Sequence, residues 1–396
     1  MTTTTDATGA WQLPDELRIL RETVADFIRQ EIVPAEADLD PDAFKLPPDV
    51  LAAAQEKAKA AGLWCVQSPS EYGGAGLGLL AQCIVAEEAA QCRMGAYIPA
   101  GGAFGWDPPN VIFEGSKDLI ERYGVPGVES GMKTFVAISE PSGGADPARS
   151  ISTVARPDGD RYILNGTKLW ISGADESEWG IVFARTDRGA GRSGISCFVV
   201  ENDTPGLTTQ LVPVIRPWYP CELFLDDVEV PAANLLGEEN QGFAVAQSWL
   251  VHGRVPYAAG TIGIAQAALR IATDYAKERV TFGKPLAQRQ AVQWMLADSE
   301  IELRAARGLV YDAAWKADLG QDFKVEASIA KVYATETAGR VVDRCIQVLG
   351  GMGVSKEMPL ERWYRELRIK RIGEGPSEVH RLVVARHLLG KAAQGS

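Results

Sequence analysis

The chain has 396 residues, 46% of them hydrophobic and 23% charged, a globular balance long enough for two or three domains with substantial cores. A net charge of −12 argues against the concentrated basic face that nucleic-acid binding needs, although a small phosphate-bearing molecule requires only a few local donors. Six scattered cysteines without paired spacing, and histidine only at His252, His380 and His387, argue against a zinc or histidine-rich metal site and fit a reducing compartment.

The first residues, "MTTTTDATGA", are polar and lack both the charged-then-apolar order of a secretory signal and the arginines of a transit peptide. No apolar run reaches the roughly 20 residues that span a bilayer. The expectation is a soluble, cytoplasmic protein with a flexible N-terminus over residues 1–12.

Residues 13–132 read as all-α. Leu17, Leu20, Val24 and Phe27 recur at spacings of three and four, with Pro34 beyond the most regular part. "DVLAAAQEKAKAAGL" and "LLAQCIVAEEAAQC" repeat the signature on either side of the turn "SPSEYGGAGLG". Over residues 133–240 the period changes. "RYILNG", "GIVFART", "GISCFVVE" and "CELFLDDVEVP" are short β-branched or aromatic runs between Gly, Pro, Asp and Asn clusters, the spacing of a β-barrel or sandwich. Over residues 241–396 long helices return, with small residues interleaved among apolar ones, and Gly350 and Gly351 cap one of them. The fold class expected is α+β and multidomain: an N-terminal all-α domain, a central β-barrel or sandwich domain and a C-terminal four-helix bundle.

"GGAGLGLL" tempts as a dinucleotide fingerprint but fails, because its third glycine is misplaced and no strand precedes it. Near the C-terminus, "RIGEGPSEVHR" holds Glu374 between two glycines and ahead of a proline. Taken alone this is either a solvated turn or a base held on a bare turn that another molecule can approach.

"FVAISEPSGGAD", "NGTKLWISGA", "FLDDVEVPAANLLGEENQGF", "ERVTFGKPLAQRQ", "QVLGGMGV" and "RIGEGPSEV" stand in the order and spacing of the acyl-CoA dehydrogenase family, which the chain resembles from about residue 13 to 390. The resemblance implies an FAD flavoenzyme acting on an acyl-CoA thioester. It implies Phe135, Ser139, Trp170 and Ser172 beside the flavin ring. Arg279, Thr281, Phe282 and Gln290 would then reach a neighbouring subunit's FAD, and Gln347, Gly350 and Gly351 would admit its adenine half. A dimer or tetramer follows, with an electron-transferring flavoprotein as electron acceptor. Each residue also has a plainer reading: Trp170 as a core aromatic, the serines bonded to backbone, Arg279 as a helix C-terminal cation and the glycines as a cap.

By the same resemblance Glu374 is the catalytic base for the α-proton. The family's other base position is Gly253 here, so one acid occupies the two places. Arg254 would order the site, and Gly373, where a tyrosine is common, would enlarge the acyl pocket or alter its floor. Arg368, Lys370 and Arg371 read as a solvated helix face. Ala145 stands where the family usually has a serine whose hydroxyl helps at the phosphate or substrate, and Pro376 and Glu378 replace a Thr and a polar amide. These departures bear on flavin or substrate binding, chain length and acyl shape. The competing readings are an oxidase or monooxygenase on the same fold, and a non-catalytic subunit.

Overall fold

The structure, a computed structural model, describes residues 13–393; the flexible segment expected over 1–12 lies outside the described residues. Helix α1 (Asp15–Phe27) buries Val24 and Phe27. It runs on through a wider π turn into Val33–Glu36. Pro34 therefore does not end the helix: the Val33 N–H reaches back five residues to Ile28, and the widened turn accommodates the proline ring.

Helices α2 (Pro48–Ala60) and α3 (Leu79–Ala89) follow, then α4 (Val125–Ser130). α3 is buried on nearly every side, packed against α1 and two C-terminal helices. Its first two N–H groups, on Leu79 and Leu80, donate to the carboxylate of Asp318 at 2.6 and 3.0 Å. A distant helix end thus caps a buried N-terminus.

Seven strands form the central sheet: β1 (Phe135–Ala137), β2 (Val154–Asp158), β3 (Arg161–Ser172), β4 (Trp179–Arg185), β5 (Ile195–Glu201), β6 (Leu207–Leu211) and β7 (Pro220–Pro231). Their order is β1-β4-β2-β3-β7-β6, with β5 also paired to β4, and the sheet curls into a half-barrel. β4 is buried at every residue because one face meets the barrel core and the other packs on Val111, Ile112 and Tyr123 of the N-terminal segment. β3 is irregular where it pairs with β7, with register shifts between Leu164 and Gly166 and between Lys168 and Ile171.

Five helices close the chain: α5 (Gly242–Glu278), α6 (Gln290–Asp318), α7 (Lys324–Leu349), α8 (Leu360–Lys370) and α9 (Ser377–Leu389). The three long ones and α9 make the expected bundle, and α8 is a fifth member lying on α5 and α7. The small residues of α5 serve close approach. A Cβ at Gly263 would overlap the Glu87 carbonyl of α3, so the two backbones touch there. Among the described residues no helix is long and apolar enough to cross a membrane.

Candidate active site

The six residues between α8 and α9 carry Glu374 in a left-handed backbone, φ 56°, followed by Gly375 at φ 92°. A non-glycine residue there is strained by roughly 1–3 kcal/mol and persists only where its surroundings hold it. Three side chains from three helices do so. Arg254 Nε of α5 donates to the Glu374 carbonyl at 3.2 Å, and His380 Nε2 of α9 reaches the same oxygen at 3.0 Å. Lys331 Nζ of α7 donates to the Gly375 carbonyl at 2.6 Å and to that of Arg371 at 3.3 Å.

His380 and Lys331 are wholly buried. Burial, helped by the charges of Arg254 and Lys331, pulls the histidine pKa down to about 4, so its neutral ring carries the proton on the nitrogen that faces the carbonyl.

The backbone is pinned and the carboxylate is left free. Oε2 of Glu374 is buried and has no hydrogen-bond partner among the described residues. Burial pushes the Glu374 pKa above the ordinary carboxylate value, while Arg254, Lys370 and Lys331 pull against that rise. A buried oxygen with an unused lone pair is costly in a folded chain and well suited to taking a proton.

Glu374 lines a cleft of about 450 Å³ with Gly253 and Trp249 of α5, Val136 of β1 and the acids Asp107 and Asp318. At Gly253 an added Cβ would meet nothing within 4 Å, so both base positions open on one cleft. Asp107 was not singled out from the sequence. Its Oδ1 accepts from the Gln67 and Ser68 N–H groups and from Ser68 Oγ, and burial raises its pKa to about 6.

Gly373 does not enlarge the pocket. A Cβ there would lie 2.5 Å from the Tyr257 hydroxyl, which takes the room a side chain would use. Tyr257 OH lies 3.5 Å from Tyr97 OH, and Lys370 Nζ sits 3.9 Å from the centroid of each ring. Lys370 is accordingly buried rather than on a solvated face, while Arg368 and Arg371 are exposed. Gly373→Ala is expected to push the Glu374 turn and lower kcat/KM on the order of tenfold to a hundredfold. Adding Tyr257→Phe should restore most of the loss; steady-state kinetics of the single and double variants check it.

The residues expected at the flavin separate into groups. Phe135 is 1% exposed, packed in the barrel core where a Cβ on Gly180 would strike its ring, and its neighbour Val136 lines the cleft instead. The strand's alternation puts one of the two inward, and the motif alone did not say which. Ser139 is half-buried, its carbonyl receiving the Leu169 N–H at 2.9 Å.

Trp170 lies in the second β3 irregularity with φ 68° and its side chain is exposed, 54% by surface. A bulge re-aims a side chain, and here it turns an indole outward at the cost of strain. Ser172, two residues on, is half-buried, with Ile171 and Gly173 buried on either side of it in the chain.

Arg279, Thr281 and Phe282 belong to a hairpin of two-residue strands, Val280–Thr281 and Lys284–Pro285, after α5. Phe282 at its tip is 97% exposed. Arg289, absent from the sequence reading, steadies the hairpin by donating to the Thr281 carbonyl at 2.6 Å. Gln290 begins α6, and Gln347, Gly350 and Gly351 lie exposed at the end of α7. None of these residues lines the Glu374 cleft.

The outward Trp170 indole and the projecting Phe282 hairpin are exposed aromatic surface that a flat, partly apolar cofactor such as FAD would cover. Comparison with known proteins bears on the same point. The chain matches the acyl-CoA dehydrogenase N-terminal domain over residues 14–127, the middle domain over 136–228 and the C-terminal domain over 240–389. It is 39% identical over 383 residues to the short-chain specific acyl-CoA dehydrogenase, mitochondrial, of Bos taurus, covering 96% of this chain and 91% of that one.

Among solved structures it is similar to butyryl-CoA dehydrogenase from Megasphaera elsdenii, with a TM-score of 0.84 and 32% identity over 96% of this chain and 100% of that one. It is also similar to a chain solved in work on the electron transferring flavoprotein of Acidaminococcus fermentans, with a TM-score of 0.87, 32% identity and 96% and 100% coverage. The chain belongs to the acyl-CoA dehydrogenase family, whose members are FAD-dependent.

Proposed function

We propose that this acyl-CoA dehydrogenase desaturates a thioester between Cα and Cβ, with Glu374 as the base that takes the α-proton. The observation that carries the reading is Glu374 itself: its turn is tied at three points, its buried Oε2 has no partner among the described residues, and the residue lines the cleft. Removing a proton beside a thioester needs a base kept from competing donors and a site kept dry. The buried, unpartnered Oε2 of Glu374 supplies the first. The raised pKa strengthens the base for the same reason, because a carboxylate with poor solvation gains more on protonation.

FAD, when bound, supplies the acceptor of the β-hydride. Trp170, Ser172 and Ser139 would hold its ring at the β3 end of the half-barrel. Arg279, with its planar fork, would meet the pyrophosphate of a neighbouring subunit's FAD, aided by Thr281, Phe282 and Gln290, with Gln347, Gly350 and Gly351 near the adenine half. A cofactor shared in this way makes a homodimer or homotetramer the active unit, and an electron-transferring flavoprotein its electron acceptor.

The test is the visible spectrum of the purified protein, followed without oxygen as short, long and branched acyl-CoA thioesters are added singly. The expected result is a flavin spectrum that one class of thioester bleaches. Steady oxygen consumption with peroxide release would replace the dehydrogenase by an oxidase. A protein that stays colourless with added FAD would overturn the reading in favour of a non-catalytic subunit.

A further inference from the structure

Arg216 lies in the segment that joins β6 to β7 and is 5% exposed. A buried guanidinium normally meets a carboxylate. Here Nε and Nη1 have no hydrogen-bond partner among the described residues. The group rests on aromatic faces, 3.8 Å from the Tyr97 centroid and 5.0 Å from that of Trp218. Among the described residues its one hydrogen bond is from Nη2 to Ser172 Oγ, at 2.9 Å. The segment is tied down from the C-terminal domain, where Arg365 of α8 donates to the Ile215 carbonyl at 2.9 Å.

A guanidinium only donates, so Ser172 Oγ must accept, and the serine's own proton is left for a partner elsewhere. Ser172 lies two residues beyond the exposed Trp170 in β3, half-buried between the buried Ile171 and Gly173. The free O–H thus lies close in the strand to the indole proposed at the cofactor, with a buried cation bonded to its oxygen. A hydroxyl that already accepts from a cation is a stronger donor, because the two bonds polarise one another.

We propose that Arg216 is a positioning residue: it aims the Ser172 hydroxyl at the flavin ring and raises the reduction potential of bound FAD. This rests on the functional reading above. Taking up two electrons and one proton leaves the ring system with one more negative charge than before. A polarised donor at its edge favours that form, and the water-excluded cation adds to the effect because little solvent screens it. Tyr97 and Trp218 keep the guanidinium flat and in place, and the buried carboxylate of Glu366, which lines the same small cavity, supplies nearby opposite charge without a direct hydrogen bond.

The experiment measures the midpoint potential of the FAD-loaded protein by equilibration with a reference dye, for wild type, Arg216→Gln, Ser172→Ala and the double variant. Arg216→Gln is expected to shift the two-electron equilibrium about tenfold towards oxidised FAD, ~30 mV. Ser172→Ala should shift it the same way, and in that background Arg216→Gln should add clearly less. An unchanged potential in Arg216→Gln overturns the proposal, as does an effect undiminished in the Ser172→Ala background.

If Arg216→Gln does not fold, Ser172→Ala at its half-buried position carries the test, and an unchanged potential there is equally fatal. Failure of the wild type to hold FAD at all would instead sink the functional reading.

Discussion

Glu374→Gln is expected to keep FAD and bind acyl-CoA while losing turnover by about 10³–10⁴-fold, the scale of a positioned general base at its upper end. The amide is nearly the same size and the backbone pins from Arg254, His380 and Lys331 end on carbonyls, so the turn should survive the change. Only the lone pair that takes the proton is removed. Stopped-flow reduction of the flavin, with thioester binding measured separately, distinguishes this from a folding defect.

The pH dependence has a definite sign. The base must be deprotonated to act, so kcat/KM rises with pH as Glu374 loses its proton, and burial places that rise above the ordinary carboxylate range.

Lys168→Met is expected to cost about 3–5 kcal/mol, the loss seen when one partner of a buried ion pair is removed. Lys168 Nζ lies 2.9 Å from Glu140 Oε1, with both side chains almost wholly out of solvent. Glu140 also accepts from the N–H and hydroxyl groups of Ser152 and Thr153, and Lys168 donates to the Ile138 carbonyl. This knot joins the end of β1 to β3 just before Trp170. Its loss should therefore loosen FAD as well as lower the denaturant midpoint.

Burial alone would raise the Glu140 pKa, but Lys168 and the hydroxyl donors hold it at about 2. Its folded value lies below the ordinary one, so the stability it contributes is present above about pH 4.5 and is lost as pH falls towards 2. Replacing both partners, as in Glu140→Gln with Lys168→Met, should recover part of the loss because no buried charge is then stranded.

The helices and strands were readable because their evidence is local. A period near 3.6 marked α1, α2 and α3, and long runs of small and apolar residues marked α5 to α7. Short β-branched runs between turn residues marked the half-barrel. Glu374 stood out because Gly-Glu-Gly-Pro is an odd place for an acid, and the resemblance gave it a role. Its supports were hidden. Lys331 and Arg254 lie 43 and 120 positions away along the chain, and only the packing of α5, α7 and α9 brings them to one turn.

Faces were harder to read than elements. Phe135 and Val136 are adjacent in a three-residue strand, too short for its alternation to say which looks inward. Lys370 read as solvated because lysine usually is, and the two tyrosine rings that cover it come from other segments. The effect of Gly373 depended on Tyr257, whose hydroxyl fills the gap. Arg216 gave no signal at all, since nothing near it in sequence marks a buried arginine beside Ser172.

The most direct test of the account is proton exchange at the thioester α-carbon, followed by NMR in deuterated water with a saturated acyl-CoA that the wild type accepts. Exchange reports proton removal apart from hydride transfer. The account predicts deuterium entering the α-position with wild type and loss of that exchange with Glu374→Gln holding its FAD. Exchange at an undiminished rate in the variant would contradict it and move the base elsewhere in the cleft.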